Sequence, residues 1–151
     1  MIGIKGIGGY HIVCNAQDEK AIDLLRKRKR RPDKPLAIMA ASLESVMLIC
    51  KVTDKEEETL KSRQRPIVLL EKKFPETLPH NIAPGINRLG VMLPYTAIHH
   101  LIFQEELQYL IMTSGNISGM PICYKDSQAL EQLNGIVDFF LVHDIEILTP
   151  I

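Results

Sequence analysis

Short apolar runs alternate along the chain with stretches of helical periodicity, which is the pattern expected of an α/β domain. The apolar runs have the length of strands, and most of them carry apolar residues at successive positions. Such segments are typical of interior strands, because both faces of the strand are then covered. We expect strands over residues 1–4, 36–39, 67–70, 90–93, 110–113 and 139–142.

Helical patterns occupy several of the intervals between these runs. The first pattern covers residues 18–29 and places four apolar side chains on one side of a helix, Ala21, Ile22, Leu24 and Leu25. Ser42 and Thr53 stand where helix N-caps belong, and Glu56 completes a capping box with Thr53. These two residues therefore predict the starts of two further helices.

The second half of the chain predicts two more helices, over residues 96–106 and 126–133, and one long loop over residues 72–88. The loop segment contains three prolines, and loops of that length are often functional. No internal repeat or linker divides the sequence, so we expect a single domain over residues 1–151. The chain stops directly after an apolar strand, and we therefore expect it to be a fragment of a longer multidomain chain.

Composition narrows the class of protein. With 151 residues and 46% hydrophobic residues, the chain can bury a substantial core. Its 18 basic and 18 acidic residues cancel, so it lacks the overall basic excess of proteins that bind nucleic acid mainly through phosphates. Three separated cysteines without a C-x-x-C pair argue against a zinc knuckle and fit a reducing cytoplasm. No window approaches the roughly 18 apolar residues of a membrane span, so we expect no membrane association.

Six consecutive basic residues, RKRKRR at positions 26–31, close the first predicted helix. Pro32 should end that helix and make Arg31 extended, so that Lys29 and Arg31 point into the same space. Arg31 would then act as a forked donor and Lys29 as a point charge in a phosphate cradle, with the other basic residues solvated. A simpler interpretation stays open, in which a solvated basic helix end complements the helix dipole.

Two glycine-containing stretches could complete such a site. TSGNISG, residues 113–119, follows an apolar strand, at the position where ligands collect in open α/β sheets. Its glycines could let backbone N–H groups approach an anion, although an ordinary turn would also explain them. GIKGIGGYH, residues 3–11, fails the dinucleotide fingerprint because His11 stands where glycine is needed, but Lys5 could meet a phosphate or carboxylate. We assign no metal ligands, because His99 and His100 are adjacent and diverge on a helix.

Taken in order, these stretches resemble the YrdC-like family. KRRP followed by PL resembles its K-x-R-P…P-L element, and TSGNISG resembles its S-x-N element. Within that family the chain is most similar to the YrdC-like domain of the HypF carbamoyltransferases of [NiFe]-hydrogenase maturation. The similarity rests on IKGIGGYH, RKRKRRPDKPLAIM, IAPGINRLGVMLPYTAIHHLI, MTSGNISG and DFFLVHD, which together cover most of the chain.

The resemblance implies an α/β fold, a YrdC-like twisted mixed sheet flanked by helices with a positively charged concave face that binds ATP and Mg²⁺. It also implies an activity, the adenylation of carbamate to carbamoyl-AMP, where a separate domain supplies the carbamate from carbamoyl phosphate. The full-length chain would then pass the carbamoyl group to a HypE-like acceptor protein. The D-D-S-V-V-R-like segment that follows in the family is not part of the sequence.

The resemblance also assigns roles to individual residues. Lys29 and Arg31 would bind the triphosphate, and Ser114 and Asn116 would bind phosphate, Mg²⁺ or substrate; these four form the predicted catalytic group. Lys5 would meet the acyl or carboxylate end. Three further residues would line the nucleotide pocket, Pro94, Tyr95 and Thr113.

Two alternative functions stay open at this point. A threonylcarbamoyl-AMP synthase, which acts in tRNA modification, would use the same phosphate site with threonine and bicarbonate. In those relatives the first motif usually reads T-x-x-Y-G-L, whereas here Tyr10 is followed by His11. A non-enzymatic double-stranded RNA-binding domain would use the same basic face, and the neutral net charge counts against it.

Overall fold

The structure is a computed structural model in which residues 1–75, 77–103 and 106–150 are described. The strands of this part are β1 (Ile2–Lys5), β2 (Tyr10–Asn15), β3 (Ile38–Ala40), β4 (Cys50–Lys51), β5 (Val68–Lys72), β6 (Arg88–Met92), β7 (Tyr109–Ser114) and β8 (Phe139–Leu141). They form one mixed sheet in the spatial order β4-β5-β6-β3-β7-β2-β1-β8. β8 runs parallel to β1 and β3 runs parallel to β6, whereas the other neighbours are antiparallel. The predicted mixed α/β sheet is therefore confirmed.

Helices cover both faces of the sheet. They are α1 (Glu19–Lys29), α2 (Leu43–Ile49), α3 (Asp54–Lys61), α4 (Ala97–Ile102) and α5 (Asp126–Gln132), with a short 3₁₀ helix at His80–Ile82. The side chain of Ser42 accepts a hydrogen bond from the backbone N–H of Ser45, and that of Thr53 accepts one from the backbone N–H of Glu56. Thr53 and Glu56 form the predicted capping box. Asp18 caps α1 by accepting from the amide of Ala21.

Alternation along the strands produces two cores, one on each face of the sheet. In β2, Ile12 and Cys14 belong to the larger core, whereas Val13 belongs to the smaller one. α1, α2, α3 and α5 contribute buried residues to the larger core, and α4 packs its Ile98 and Ile102 against the smaller one. Strands that are apolar on both faces are therefore explained by the two covering layers.

Several boundaries differ from the expectations. The central strand β2 was missed, because it follows directly on a glycine-rich stretch, and the two-residue β4 was too short to show a pattern. The run at residues 139–142 predicts an interior strand, but β8 is an edge strand in which Phe139 is 71% exposed. Leu24 is exposed on the outer side of α1, so it does not belong to the buried face of that helix.

The second half of the chain shows two further differences in length. α4 ends at Ile102, short of the helix predicted over residues 96–106, of which residues 104 and 105 lie outside the described part. The predicted loop is shorter than residues 72–88, since both of its end residues belong to strands. Among the described residues, no helix is both long and apolar enough to cross a membrane.

Candidate functional site

The C-terminal end of α1 meets the end of β7. Arg30 ends the helix in the left-handed conformation, with φ of 51°. The amides of Arg30 and Arg31 donate to the carbonyls of Lys27 and Arg26, which is the Schellman pattern of helix termination. The helix therefore ends at Lys29, three residues before Pro32, and this turn directs Arg31 back toward the strand end that Lys29 also reaches.

Lys29 is the centre of the contacts at this junction. Its Nζ donates to the carbonyl oxygen of Ser114 at 2.5 Å and lies 3.3 Å from Oδ1 of Asn116. The hydroxyl of Thr113 is 3.5 Å from the same amine, and Nη1 of Arg31 also lies 3.5 Å from that hydroxyl. The structure thus brings Lys29, Arg31, Thr113, Ser114 and Asn116 together in one group, which we call the K-R-TSN cluster.

The turn after β7 is held by its own hydrogen bonds. The hydroxyl of Ser114 donates to Oδ1 of Asn116 at 2.8 Å, and the side-chain Nδ2 of Asn116 donates to the carbonyl of Met120. Gly115 donates its own N–H to the carbonyl of Tyr10 at 2.6 Å, and a Cβ at this position would lie 2.5 Å from that oxygen. Glycine is therefore required there by close backbone packing, and its N–H is not free for an anion.

The electrostatics of the K-R-TSN cluster follow from burial. The Lys29 residue is 2% exposed, and burial, with a smaller effect of the Arg31 charge, lowers its pKa to about 8. Nη2 of Arg31 donates to the carbonyl of Pro35, while its buried Nε has no partner among the residues the structure describes. Two neighbouring cations, of which Arg31 has an unpartnered donor, are suited to an anionic ligand, which would relieve their mutual repulsion.

The other basic residues of the run are not all solvated, which corrects the sequence-based expectation. Arg26 is 8% exposed, and its guanidinium donates to five backbone carbonyls at 2.6–3.1 Å, those of Arg31, Pro32, Lys34, Asn81 and Ile82. Arg28 forms an ion pair with Asp138 at 2.7 Å. Lys27 is exposed, as expected for a residue on the outer side of the helix. Arg26 therefore fixes the backbone that carries Arg31, whereas Lys29 and Arg31 supply the cationic groups of the K-R-TSN cluster.

A cavity of about 530 Å³ opens beside Ser114. Its walls are largely apolar and include Ile67, Met92 and Met112, while His11, Tyr95 and Arg65 add polar groups. The predicted pocket residue Tyr95 therefore borders the same cavity as Ser114, and the neighbouring Pro94 is buried. No motif in the sequence predicts His11 or Arg65 as site residues, although both border this cavity. The register of His11 opposite Ser114 could have revealed the first, had β2 been recognised.

Lys5 lies apart from the K-R-TSN cluster. Its residue is 4% exposed, and its amine forms an ion pair with Asp126 at 2.9 Å and donates to the carbonyl of His143. The hydrogen bonds from Lys5 and Tyr10 lower the pKa of Asp126. Lys5 borders two neighbouring cavities of about 330 and 550 Å³, whereas Ser114 borders neither of them.

The whole chain matches a known protein family. The family model for Sua5/YciO/YrdC proteins, described as telomere recombination, matches residues 1–151. The carbamoyltransferase HypF of Synechocystis is 46% identical over 151 residues, which is all of this chain and 20% of that protein. A crystal structure of full-length HypF in a phosphate- and nucleotide-bound form superposes with a TM-score of 0.94 and 47% identity, over 99% of this chain and 24% of the other.

At lower identity, the chain is also similar to threonylcarbamoyl-AMP synthases. The threonylcarbamoyl-AMP synthase of Pyrococcus abyssi is 32% identical over 115 residues, which is 74% of this chain and 34% of that protein. The chain spans about a fifth of the length of the HypF relatives that it matches. The similarity therefore identifies one part of those longer proteins.

Proposed function

Because the chain belongs to the Sua5/YciO/YrdC family, we propose that it binds Mg-ATP and adenylates carbamate to carbamoyl-AMP, as the nucleotide-binding domain of a HypF-like carbamoyltransferase. The observation that carries the proposal is the K-R-TSN cluster, which joins two separated motifs into one cationic and hydroxyl-lined group. The similarity of the whole chain to HypF carbamoyltransferases supports the choice of substrate.

The cluster suits the chemistry of this reaction. Carbamate is already an oxygen nucleophile, so its attack on the α-phosphorus of ATP requires no general base. A bond forms between the carbamate oxygen and the α-phosphorus, the bond from that phosphorus to the bridging oxygen breaks, and pyrophosphate leaves with the electron pair. The protein must bring two anions together and stabilise charge on the leaving group. Lys29 and Arg31 would bind the triphosphate, and Ser114 and Asn116 would orient it.

Mg²⁺ fits this site as a companion of the nucleotide. The cluster supplies hydroxyl and amide oxygens, and no group of three or more His, Cys, Asp or Glu side chains in the described part could hold a metal by itself. Mg²⁺ commonly keeps several waters and is bound through substrate phosphates with few protein ligands. Ser114 and Asn116 are the residues that would supply protein oxygens, and the ion would neutralise charge on the phosphates.

The remaining proposals concern the larger protein. Because the relatives are much longer than this chain, we propose that other domains generate carbamate from carbamoyl phosphate and transfer the carbamoyl group to a HypE-like acceptor. The assignment of Lys5 to the acyl or carboxylate end stays a prediction and is not part of this proposal, because Lys5 is held in an ion pair with Asp126 and does not border the cavity beside Ser114. The similarity to threonylcarbamoyl-AMP synthases supports a second candidate, in which threonine and bicarbonate replace carbamate. Binding of double-stranded RNA stays a prediction.

The experiment that tests the proposal identifies the adenylate. The chain is incubated with Mg-ATP and ammonium carbamate, or with Mg-ATP, threonine and bicarbonate, and the products are identified by mass. We expect carbamoyl-AMP and pyrophosphate from the first mixture only. Threonylcarbamoyl-AMP from the second mixture would select the alternative function, and the absence of any adenylate from both mixtures would refute an adenylating enzyme.

A further inference from the structure

The ring of His11 is held in place by its surroundings. The N–H of Gly6 donates to the carbonyl of Gly9 and closes the turn between β1 and β2. A Cβ on Gly6 would lie 3.0 Å from Cδ2 and 3.1 Å from Nε2 of His11, so this glycine makes room for the imidazole. The hydroxyl of Tyr95 lies 3.4 Å from Nε2 of His11. The glycine-rich turn between β1 and β2 therefore positions the His11 ring at the edge of the cavity beside Ser114.

A second histidine supports this arrangement from inside. His99 is fully buried, and its ring lies edge-to-face with Tyr95 at 4.4 Å and with His11 at 6.5 Å between ring centroids. Neither ring nitrogen of His99 has a hydrogen-bond partner within the described residues. Buried polar atoms are rarely left unpaired in native proteins, so these two nitrogens call for a specific explanation.

His11 also stands at a suitable distance from the phosphate-binding residues. It is paired directly with Ser114 across β2 and β7, so both side chains project from the same face of the sheet. Side chains opposite each other in an antiparallel pair have Cβ atoms about 5 Å apart. A ligand whose phosphate lies at Ser114 would therefore carry the neighbouring acyl group within reach of His11 and Tyr95.

We propose that His11 and Tyr95 form the subsite for the acyl group and select a carbamate with an unsubstituted amino group. The neutral imidazole and the phenol oxygen can each accept one of the two N–H groups. A substituent on that nitrogen would replace one donor and contact the His11 ring. The ring of His99 packs edge-to-face against the rings of Tyr95 and His11 and does not border the cavity. This inference rests on the proposed adenylation.

The charge state of the two histidines is compatible with this role. Burial lowers the pKa of His11, and burial together with the neighbouring His11 and His100 lowers the pKa of His99 to about 4. Both rings are therefore mainly neutral at pH 7. A neutral ring accepts a hydrogen bond from the carbamate amino group, whereas a protonated ring could deliver a proton to that nitrogen and promote loss of CO₂.

The test is carbamate-dependent exchange of labelled pyrophosphate into ATP, measured for the unaltered chain and for His11→Ala, Tyr95→Phe and the matched control His100→Ala. His100 is exposed beside His99 on the same helix. For the first two variants we expect the KM for carbamate to rise about tenfold, the effect of one lost hydrogen bond. The KM for ATP should stay within about twofold, and His11→Ala should gain exchange with N-methylcarbamate, which a general structural defect would not produce.

The outcomes separate the inference from the function on which it rests. Exchange in the unaltered chain, with an unchanged carbamate KM in both variants or an equal rise in the ATP KM, overturns the acyl subsite alone. No exchange in the unaltered chain overturns both proposals. Tyr95→Phe removes only a hydroxyl, so it keeps the test decisive if His11→Ala unfolds the chain.

Discussion

Replacement of Lys29 by methionine tests the central cation of the K-R-TSN cluster. Methionine keeps an unbranched apolar stem in the buried space that the lysine stem fills, and it removes the amine that contacts Ser114 and Asn116. The change has opposing effects on folding. It removes a buried charge that is costly in the free protein, but it also removes one donor from the Ser114 carbonyl, which keeps the backbone N–H of Asn116. We therefore expect the variant to fold.

The expected loss of nucleotide affinity follows from the geometry. The Lys29 residue is 2% exposed, so solvent screens its charge little, and a hydrogen bond to a charged group contributes about 1.5–3 kcal/mol. Loss of one such contact to a phosphate should raise the Kd for Mg-ATP roughly 10- to 150-fold. The exposed Lys27 makes no side-chain hydrogen bond or ion pair with the described residues. Lys27→Met therefore removes the same charge from the same helix, but outside the K-R-TSN cluster. It should change the Kd for Mg-ATP less than about twofold.

Isothermal titration calorimetry at pH 7 and physiological ionic strength measures both variants beside the unaltered chain, with thermal unfolding as the check of folding. The two variants have the same net charge, so any difference between them reports position rather than overall electrostatics. Equal Kd values for Lys29→Met and Lys27→Met would refute the reasoning, because nucleotide binding would then depend only on a diffuse basic surface.

Three further predictions concern the same region. The pKa of Lys29 is lowered to about 8, and the amine must be protonated to attract phosphate. Mg-ATP affinity measured by calorimetry should therefore begin to fall as the pH approaches 8 and fall by up to about tenfold per pH unit above it, and Lys29→Arg should abolish this fall. Arg26→Ala should lower the free energy of unfolding in urea by about 3 kcal/mol, since five carbonyls each lose a hydrogen bond from the guanidinium. A loss as small as that of Lys27→Ala would contradict this. Gly115→Ala should destabilise the chain by about 2 kcal/mol in the same assay, because the new Cβ would overlap the Tyr10 carbonyl, and an unchanged midpoint would disprove that packing.

Local signals in the sequence predicted much of the fold. The caps at Ser42 and Thr53 are correct because capping depends on side chains within three residues of the helix start. β2 could not be recognised in the same way, since its position in the sheet depends on pairing with β7, about a hundred residues later. Its glycine-rich approach gives the same local signal as a ligand-binding loop.

The tasks within the basic run were only partly predictable. Helical spacing places Arg26 and Lys29 on the same side of α1 as Ile22 and Leu25, and all four are buried. That spacing could have distinguished them from Lys27. No local pattern identifies the partner of each cation. The carbonyls that accept hydrogen bonds from Arg26 include those of residues 81 and 82, which are distant in the sequence. Lys5 shows the same limit, since its acidic partner Asp126 is equally remote in sequence.

The carbonyls gathered by Arg26 have a consequence for how a ligand would bind. Residues 31, 32 and 34 are tied to one guanidinium, so the backbone beside Arg31 is ordered before any anion arrives. Ordering a flexible segment costs about 1–2 kcal/mol of backbone entropy per residue. Because this segment is already ordered in the folded chain, ligand binding loses little conformational freedom and requires no slow rearrangement of residues 31–34. Nucleotide capture should therefore be limited by diffusion and by charge, with its rate falling as salt concentration increases.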